Sequence, residues 1–381
     1  MHDMAEVTPI PLARLTTLRT GAAPQRMIDA HTRDELVEAL REAWSGDEPW
    51  LVLGGGSNLF VGDEPLEGTV IRVLTSGVER MPGARPGTVR LRVAAGHSWD
   101  DLVAWTVDHG LAGIEAMSGI PGTVGGAPVQ NVGAYGQEIE QTLVEVGLLD
   151  EGADEPVTVP ASELGFGFRT SVLKHHYGSA PRRRAVIVSA TLELAEVGDA
   201  ERPIPGEQLR RALGLERGQA VSLRWIREHV LATRRGKGMV VDDHDPDTHS
   251  AGSFFQNPIV SASFARTLPA ACPRWPVRPD LDPVTIIPLA EFDGYVPRPS
   301  GEAPDVKVSA AWLIEQSGIR KGFKLPRSRA ALSSKHALAL TNRGGATAAE
   351  ISELARYIQS RVAAEFGLIL QPEPVLIGVE L

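Results

Sequence analysis

The most constraining feature of this sequence is a stretch of eighteen residues, GIPGTVGGAPVQNVGAYG, at positions 119–136. Six of its residues are glycine and two are proline, which is too many for a regular helix or strand. A loop that only reverses direction does not need so many glycines. A backbone wrapped around a large polar ligand does, because each missing Cβ lets an amide approach a ligand oxygen. The stretch therefore predicts a binding loop for a large polar cofactor.

A second glycine-rich stretch, LGGGSN at positions 53–58, follows the apolar run WLV. It does not match the Rossmann dinucleotide fingerprint, because Leu59 stands where the third glycine is required and no helical pattern follows. Neither stretch contains the G-x-x-x-x-G-K-[ST] pattern of a P-loop. A tight turn between two strands would also explain this short stretch on its own. Two such stretches in the first half of one chain nevertheless predict a dinucleotide, held in another manner than in Rossmann folds.

Length and composition narrow the possible classes of protein. A chain of 381 residues is too long for one ordinary core, which predicts two or three domains. The net charge of −10 argues against a nucleic-acid surface, although a local cluster of Lys and Arg could still bind an anionic substrate. The single cysteine, Cys272, cannot form an internal disulfide, and no segment has the pattern of a signal peptide or a membrane span. We therefore expect a cytoplasmic monomer without nucleic-acid or membrane partners.

Local patterns predict a mixture of helices and strands. Capping boxes begin helices at Thr32 and Thr347, and the second of these helices extends to about residue 366. Further helices are predicted from Ser98 and over LRWIREHVLATRR, after which we place a domain boundary near Lys237. Strand patterns occur at 69–73, 88–96, 144–149 and 185–194. The closing segment LILQPEPVLIGVEL has strand character and must pair with a distant strand, for which the first domain is one candidate.

Two segments resemble metal sites that their residues do not support, and a third is notable for its prolines. VVDDHDPDTHSAGSF alternates aspartates as a calcium loop does, but Thr248 and Phe254 stand where glycine and glutamate are required. We therefore expect a solvated acidic loop and no metal site. The proline-rich segment 267–305 is predicted to be a long surface excursion. LKHHY, at 173–177, is more readily a strand end than a pair of metal ligands.

Six motifs in one order carry a resemblance to a known family. They are GGGSN, GIPGTVGGAPVQNVGAYG, FRTSVLKH, SAGSFFQNP, AAWLIEQSG and PEP-x-x-x-G, and they extend over nearly the whole chain. In this order they resemble the UDP-N-acetylenolpyruvoylglucosamine reductases (MurB) of bacterial peptidoglycan synthesis. The resemblance implies an α+β chain with the vanillyl-alcohol-oxidase/PCMH-type FAD-binding fold of two subdomains and a C-terminal α+β substrate-binding domain. The implied bounds are 1–75 and 76–236 for the subdomains, 237–367 for the third domain, and 368–381 for a strand that returns to the first subdomain.

The resemblance implies NADPH-dependent reduction of UDP-N-acetylglucosamine-enolpyruvate to UDP-N-acetylmuramate by FAD that is bound without a covalent link. A different oxidoreductase on the same scaffold, such as an alcohol oxidase, often tethers FAD through His or Cys. Cys272 lies in the proline-rich segment and no His lies in the glycine stretches, which disfavours a tether. A non-catalytic nucleotide-sugar sensor is the third interpretation. The cofactor-binding residues that we predict are Gly54, Gly55, Gly56, Ser57, Asn58, Gly119, Ile120, Pro121, Gly122, Thr123, Gly125, Gly126, Gln130, Asn131, Gly133, Ala134 and Tyr135.

The resemblance implies three catalytic residues, Arg169, Ser253 and Glu373. The resemblance implies that Ser253 donates a proton to carbon, and the absence of a neighbouring base and of a G-x-S-x-G context fits that role and argues against a nucleophile. Arg169 would hold the substrate carboxylate with its fork of donors. Glu373 beside an anion is either protonated or holds Arg169 and a water in place. In isolation each residue could be ordinary (a turn cap, a surface ion pair, a solvated carboxylate), and the family context favours the catalytic roles.

Three more matched residues are implied to bind substrate: Lys237 and Asn257 at its diphosphate, and Gln316 at another contact. For Lys237, an ordinary place on a solvated basic loop is nearly as good an interpretation. Longer members of the family usually place a tyrosine over the diphosphate, but Pro205–Gly206 stands in the corresponding stretch of this chain. Either Tyr177 or a nearby arginine supplies that contact, or the loop closes less tightly.

Overall fold

The computed structural model describes residues 6–204, 206–277 and 305–381. The first part of the chain forms a four-stranded sheet with one helix packed on it. Its elements are β1 (Glu6–Val7), β2 (Pro24–Ala30), α1 (Arg33–Ser45), β3 (Trp50–Leu53), β4 (Leu59–Val61) and β5 (Leu66–Val73). The sheet order is β1-β2-β5-β3, and β5 runs parallel to both β2 and β3. The stretch GGGSN connects β3 to β4, so a strand and not a helix follows it, as predicted.

The second part is built on an antiparallel sheet with the order β12-β11-β13-β7-β6. Its elements are β6 (Val78–Met81), β7 (Thr88–Ala94), α2 (Trp99–Asp108), β8 (Leu111–Ala112), β9 (Gly133–Ala134), β10 (Gln137–Glu138), β11 (Leu143–Asp150), β12 (Val157–Pro160), β13 (Ala185–Glu196), β14 (Arg202–Pro203), α3 (Glu207–Ala212), β15 (Ala220–Val221) and α4 (Leu223–Gly236). One buried core joins this sheet to α1 and β5, since Leu36 and Ile71 pack in the same cluster as Leu91 and Leu192. The boundary between the two FAD-binding subdomains at residue 75, which the resemblance implied, stays a prediction.

The third part combines short strands with the longest helix. Its elements are β16 (Ile259–Val260), α5 (Ala262–Ala265), β17 (Arg274–Pro276), β18 (Val306–Val308), α6 (Ala310–Gln316), β19 (Ala330–Leu332), β20 (Leu340–Asn342), α7 (Ala348–Phe366) and β21 (Val375–Ile377). The closing strand β21 pairs in parallel with β4. The chain end therefore returns to the first part of the fold, as the resemblance implied.

Both predicted capping boxes form. At α1, Glu35 N donates to Thr32 Oγ1 at 3.2 Å, and the Glu35 carboxylate accepts from Thr32 N. At α7, the corresponding bonds join Thr347 and Glu350, and the helix ends at Gly367 with a φ of 69°. The apolar face of α7 is fully buried, and each of its leucine and isoleucine side chains contributes roughly 1.5–3 kcal/mol to folding.

The expected solvated acidic loop is wrong at two of its aspartates. Asp247 is 5% exposed, and it accepts hydrogen bonds from Ser333, Ser334 and Arg343. Asp245 pairs with Lys335 at 2.5 Å. The donors come from a segment 86 to 96 residues later in the chain, so the local pattern could not reveal them. Among the described residues, no group of His, Cys, Asp or Glu has the arrangement of a metal site.

The proline-rich segment is also more ordered at its start than predicted. Residues 274–276 form β17, which pairs with β18 in a three-stranded sheet with the order β16-β18-β17. The remainder of the predicted excursion, 278–304, lies outside the described residues. Within the three described ranges, every helix is too short or too polar to cross a membrane.

Candidate active site

One cavity of about 1150 Å³ lies where the two glycine stretches meet the C-terminal part of the chain. It exceeds the roughly 300–1,000 Å³ of an ordinary small-molecule site, so a dinucleotide and a second ligand have room in it together. The predicted residues that line it are Gly54, Gly55, Gly56, Ser57, Asn58, Ile120, Pro121, Gly122, Thr123, Gly125, Gly126, Gln130, Gly133, Ala134, Tyr135, Arg169, Lys237, Ser253 and Glu373. Four predicted residues, Gly119, Asn131, Asn257 and Gln316, are not part of its wall.

The two glycine stretches pack directly against each other. A Cβ on Gly54 would lie 2.6 Å from Thr123 Oγ1, and one on Gly55 would lie 2.6 Å from Gly122 Cα. Ser57 Oγ donates to the carbonyl oxygen of Pro121 at 2.9 Å. The first stretch is therefore more than a tight turn between strands, because its missing side chains allow the two backbones to touch and form one wall.

An ion pair that the sequence reasoning missed anchors the start of the second stretch. Asp100, in the first turn of α2, accepts a hydrogen bond from Gly119 N at 2.6 Å. Arg227 of α4 donates two bonds to the same carboxylate, at 2.6 and 2.9 Å. Burial alone would raise the pKa of Asp100, but the bonds from Arg227 and Gly119 outweigh it and lower that pKa. The carboxylate is therefore charged at neutral pH.

Arg234 gives the cavity a half-buried cation. Its Nη2 donates to the carbonyl oxygen of Met239 at 2.8 Å, whereas its Nε is buried without a hydrogen-bond partner among the described residues. An orphaned donor on a cationic group fits an anionic ligand at this wall. This unpartnered donor, on a wall formed by two glycine-rich backbones, shows that the residues present suit a phosphorylated cofactor such as FAD.

Asn131 supports the wall from behind. It has a left-handed φ of 46°, its Nδ2 donates to Gly167 O at 3.2 Å, and its Oδ1 accepts from Glu140 N. The side chain thereby joins the second glycine stretch to the loop that carries Arg169. Direct contact of this side chain with a cofactor stays a prediction.

Arg169 and Glu373 meet at the cavity wall. Arg169 has a left-handed φ of 55°, and its Nη2 donates to Gly133 O at 2.8 Å. Its Nε lies 3.5 Å from Glu373 Oε1. Burial raises the pKa of Glu373, and the nearby Arg169 and Lys174 only partly oppose that rise. The guanidinium retains donors for a second acceptor while it orients the glutamate.

Ser253 is brought beside this pair by backbone pairing. Glu373 N donates to Phe254 O at 2.9 Å, and Phe255 forms a bridge with Pro372. The turn before the serine contains Gly252 at a φ of 76°. Ser253 is partly exposed and lines the cavity, and among the described residues its hydroxyl has no hydrogen-bond partner. The hydroxyl is thus free to turn toward a ligand.

A second group of cavity residues lies around Lys237. Its Nζ lies 5.6 Å from the centre of the Tyr135 ring. His336, which the sequence reasoning missed, lines the same cavity, and its Nδ1 accepts a hydrogen bond from Leu338 N at 3.2 Å. Burial, with help from Lys237, lowers the pKa of His336 to about 4. The imidazole is therefore neutral at physiological pH, with its remaining proton on Nε2.

The other predicted substrate residues lie outside the cavity wall. Asn257 Oδ1 accepts from Ala310 N at 3.0 Å and so caps α6, while Gln316 is exposed at the last turn of that helix. Tyr177 is not part of the cavity wall either, and its hydroxyl donates to the carbonyl oxygen of Leu381 at 2.6 Å. That Tyr177 replaces the missing substrate-loop tyrosine stays a prediction. Pro205, in the stretch where that tyrosine was expected, lies outside the described residues.

Comparisons with known proteins identify the family of the chain. A family model described as "UDP-N-acetylenolpyruvoylglucosamine reductase, C-terminal domain" matches residues 244–377, and one described as "FAD binding domain" matches residues 24–155. The chain is 51% identical to the UDP-N-acetylenolpyruvoylglucosamine reductase of Leifsonia xyli subsp. xyli, with 98% of this chain and 99% of the relative covered. It is 46% identical to the enzyme of the same name from Thermobifida fusca, with 98% of each chain covered.

A solved structure shows the same architecture. The crystal structure of UDP-N-acetylenolpyruvylglucosamine reductase (MurB) from Thermus caldophilus matches with a TM-score of 0.61 and 25% identity, over 98% of this chain and 99% of that one. The α+β, PCMH-type FAD-binding fold with a C-terminal substrate-binding domain is thus confirmed. The chain belongs to the UDP-N-acetylenolpyruvoylglucosamine reductase family and is a flavin-dependent oxidoreductase.

Proposed function

We propose that this chain uses bound FAD and NADPH to reduce UDP-N-acetylglucosamine-enolpyruvate to UDP-N-acetylmuramate. The observation that carries the proposal is that Arg169, Ser253 and Glu373 line the same cavity as both glycine stretches. A guanidinium, an unpartnered hydroxyl and a buried carboxyl of raised pKa are the groups that reduction of an enolpyruvyl ether needs.

The two glycine stretches would hold FAD, with their amides and Arg234 facing its phosphates. When bound, FAD supplies the hydride that adds to the methylene carbon of the enolpyruvyl group. Arg169 binds the substrate carboxylate and stabilises the negative charge that develops there. Ser253 donates its hydroxyl proton to the neighbouring carbon. Glu373, whose pKa is raised by burial, orients Arg169 beside the substrate carboxylate.

The remaining matched residues would bind the nucleotide sugar. Lys237 faces the cavity beside Tyr135, where its ammonium suits a diphosphate oxygen. His336 adds a neutral Nε2–H donor near the same place. Asn257 and Gln316, which do not line the cavity, stay proposed substrate contacts. We also propose that the enzyme acts as a cytoplasmic monomer with the domain bounds stated above.

The proposal is tested on the purified protein by the colour of its flavin. Addition of NADPH without oxygen should bleach the visible absorbance of the oxidised flavin, because hydride transfer reduces it. Subsequent addition of the enolpyruvyl sugar should restore that absorbance with formation of UDP-N-acetylmuramate. A colourless protein that binds the sugar would instead support the sensor. A yellow protein that is reduced by an alcohol, and not reoxidised by the sugar, would support the oxidase.

A further inference from the structure

Lys174 is a buried cation at the cavity to which neither the comparisons nor the sequence motifs give a role. It lies five residues after Arg169, it is 2% exposed, and it lines the cavity. Its Nζ donates to Gln130 Oε1 at 3.3 Å and to the carbonyl oxygen of Glu373 at 3.1 Å. A buried lysine is costly unless it is paired, so these contacts need an explanation.

The partners of Lys174 belong to the two halves of the site. Gln130 lies in the second glycine stretch, and its Oε1 also accepts from Asn58 Nδ2 of the first stretch at 2.5 Å. Glu373 lies beside Arg169 and Ser253. One ammonium group therefore connects both cofactor-binding stretches with the residues of the proposed proton-transfer end.

Two cations contact Glu373 here: Lys174 donates to its main-chain carbonyl oxygen, and Arg169 pairs with its carboxylate. Burial lowers the pKa of Lys174 to about 8, although the nearby Glu373 raises it, and Arg169 lowers it further. His176, on the same loop, is the other titratable group that Lys174 influences. The ammonium is therefore lost at a much lower pH than on the protein surface.

We propose that Lys174 is a positioning residue that holds Glu373 and the flavin-binding Gln130 in register. The charged ammonium binds both acceptors, whereas the neutral amine has fewer donors and no charge with which to hold them. Loss of the charge would let the Arg169–Glu373 pair shift relative to the cofactor. A misplacement of about 1 Å can cost on the order of 100-fold in rate. The inference rests on the proposed function.

The test uses the full-length flavin-loaded protein and the variants Lys174→Met and Lys174→Arg. The rate at which the enolpyruvyl sugar reoxidises the flavin should fall in the wild type as the pH rises through about 8. Lys174→Met should reduce this rate by roughly 10- to 100-fold at pH 7 and abolish that pH dependence. Lys174→Arg should remain within a few-fold of the wild type at pH 7 and lose the alkaline decline, since a guanidinium stays charged. Reduction by NADPH should change much less than reoxidation.

A second readout does not depend on turnover. Titration of the apoprotein with FAD, followed by flavin fluorescence, should show weaker binding for Lys174→Met than for Lys174→Arg, because Gln130 loses its donor.

If both variants match the wild type in rate, pH profile and FAD affinity, the proposal is overturned. Equal losses in both half-reactions, with an unchanged pH profile, would reduce Lys174 to a packing role and also overturn it. If Lys174→Met does not fold, the pH profiles of Lys174→Arg and of the wild type still test the proposal, since only the wild type should show the alkaline decline. A wild type that the sugar cannot reoxidise would instead overturn the proposed function.

Discussion

The two walls of the cavity are built by opposite means. The wall of glycine stretches consists of two segments whose backbones touch, as Gly55 does with Gly122, and its shape depends on absent side chains. The other wall consists of Arg169, Ser253 and Glu373, whose positions depend on side-chain contacts and on one backbone bridge between distant segments. The first wall depends on the absence of side chains, and the second depends on contacts between polar and charged side chains.

This difference sets how each wall should respond to change. Protein backbones in contact cannot move apart without disturbing the strands that carry them, so an added methyl group acts through sterics and stability. A wall of charged side chains tolerates a change of shape more readily than a change of protonation, because loss of one charge leaves its buried partner uncompensated. Substitutions in the first wall should therefore damage folding and cofactor binding, and those in the second should damage one chemical step.

The largest expected effect is that of Gly56→Ala. Gly56 has a φ of 59°, and a Cβ there would lie 2.0 Å from the carbonyl oxygen of Leu15. Backbone strain and collision together should cost about 3 kcal/mol or more of unfolding free energy, with loss of bound FAD. The matched control is Gly83→Ala, where φ is 81° but nothing lies within 4 Å of the added Cβ. Chemical denaturation should show a loss of only about 1 kcal/mol for the control, and equal losses would contradict the backbone-contact argument.

The contrast between the walls also explains what the sequence could predict. The sequence could predict the two glycine stretches and both capping boxes, because each is a dense local pattern. It could also predict that the closing strand pairs with a distant strand, because a strand needs a partner; its return to the first part came from the family resemblance. The capping box at Thr347, for example, is contained in four residues.

The charged contacts were not predictable, because their partners are distant in sequence. LKHHY gave no sign that Lys174 is buried, since its acceptor at Glu373 lies about two hundred residues later. Asp100 resembled an ordinary acidic residue in the first turn of a helix, yet its partner Arg227 comes from α4. A single sequence does not reveal which distant charges will be buried together, and the roles of Arg169 and Ser253 came from family resemblance alone.

The next largest effect is expected at the charged wall, for Ser253→Ala. Removal of the hydroxyl should slow reoxidation of the flavin by the enolpyruvyl sugar by about 10²- to 10⁴-fold, because the proton donor is lost. Reduction by NADPH should stay nearly unchanged, and stopped-flow absorbance measures the two steps separately. Ser263→Ala, which removes an exposed hydroxyl of α5, is the control and should alter neither step. Comparable losses in both half-reactions of Ser253→Ala would count against the proton-donor role.

A smaller effect is expected for Asp100→Asn, which weakens the anchor of the second glycine stretch. Because the pKa of Asp100 is lowered on folding, its stabilisation is complete at neutral pH and is lost as the pH falls through that lowered value. The variant should lose about 1–2 kcal/mol at pH 7, and the difference from the wild type should shrink below about pH 4. Asp108→Asn on the same helix breaks an exposed pair with Arg224 and should change stability by less than about 0.5 kcal/mol. Urea denaturation at both pH values measures this, and a difference that does not depend on pH would refute the charge-based account.

The smallest expected effect lies outside both walls, at Tyr177→Phe. The hydroxyl of Tyr177 donates to Leu381 O at 2.6 Å and accepts from Leu381 N at 3.0 Å, so its loss should cost about 0.5–1 kcal/mol by releasing the chain end. Tyr357→Phe is the control, because among the described residues that hydroxyl has no hydrogen-bond partner, and its stability should not change. The KM for the enolpyruvyl sugar should be the same in both variants and in the wild type. A several-fold rise in KM for Tyr177→Phe alone would mean that the hydroxyl of Tyr177 contacts the substrate. Tyr177 would then belong to the charged wall together with Arg169, Ser253 and Glu373.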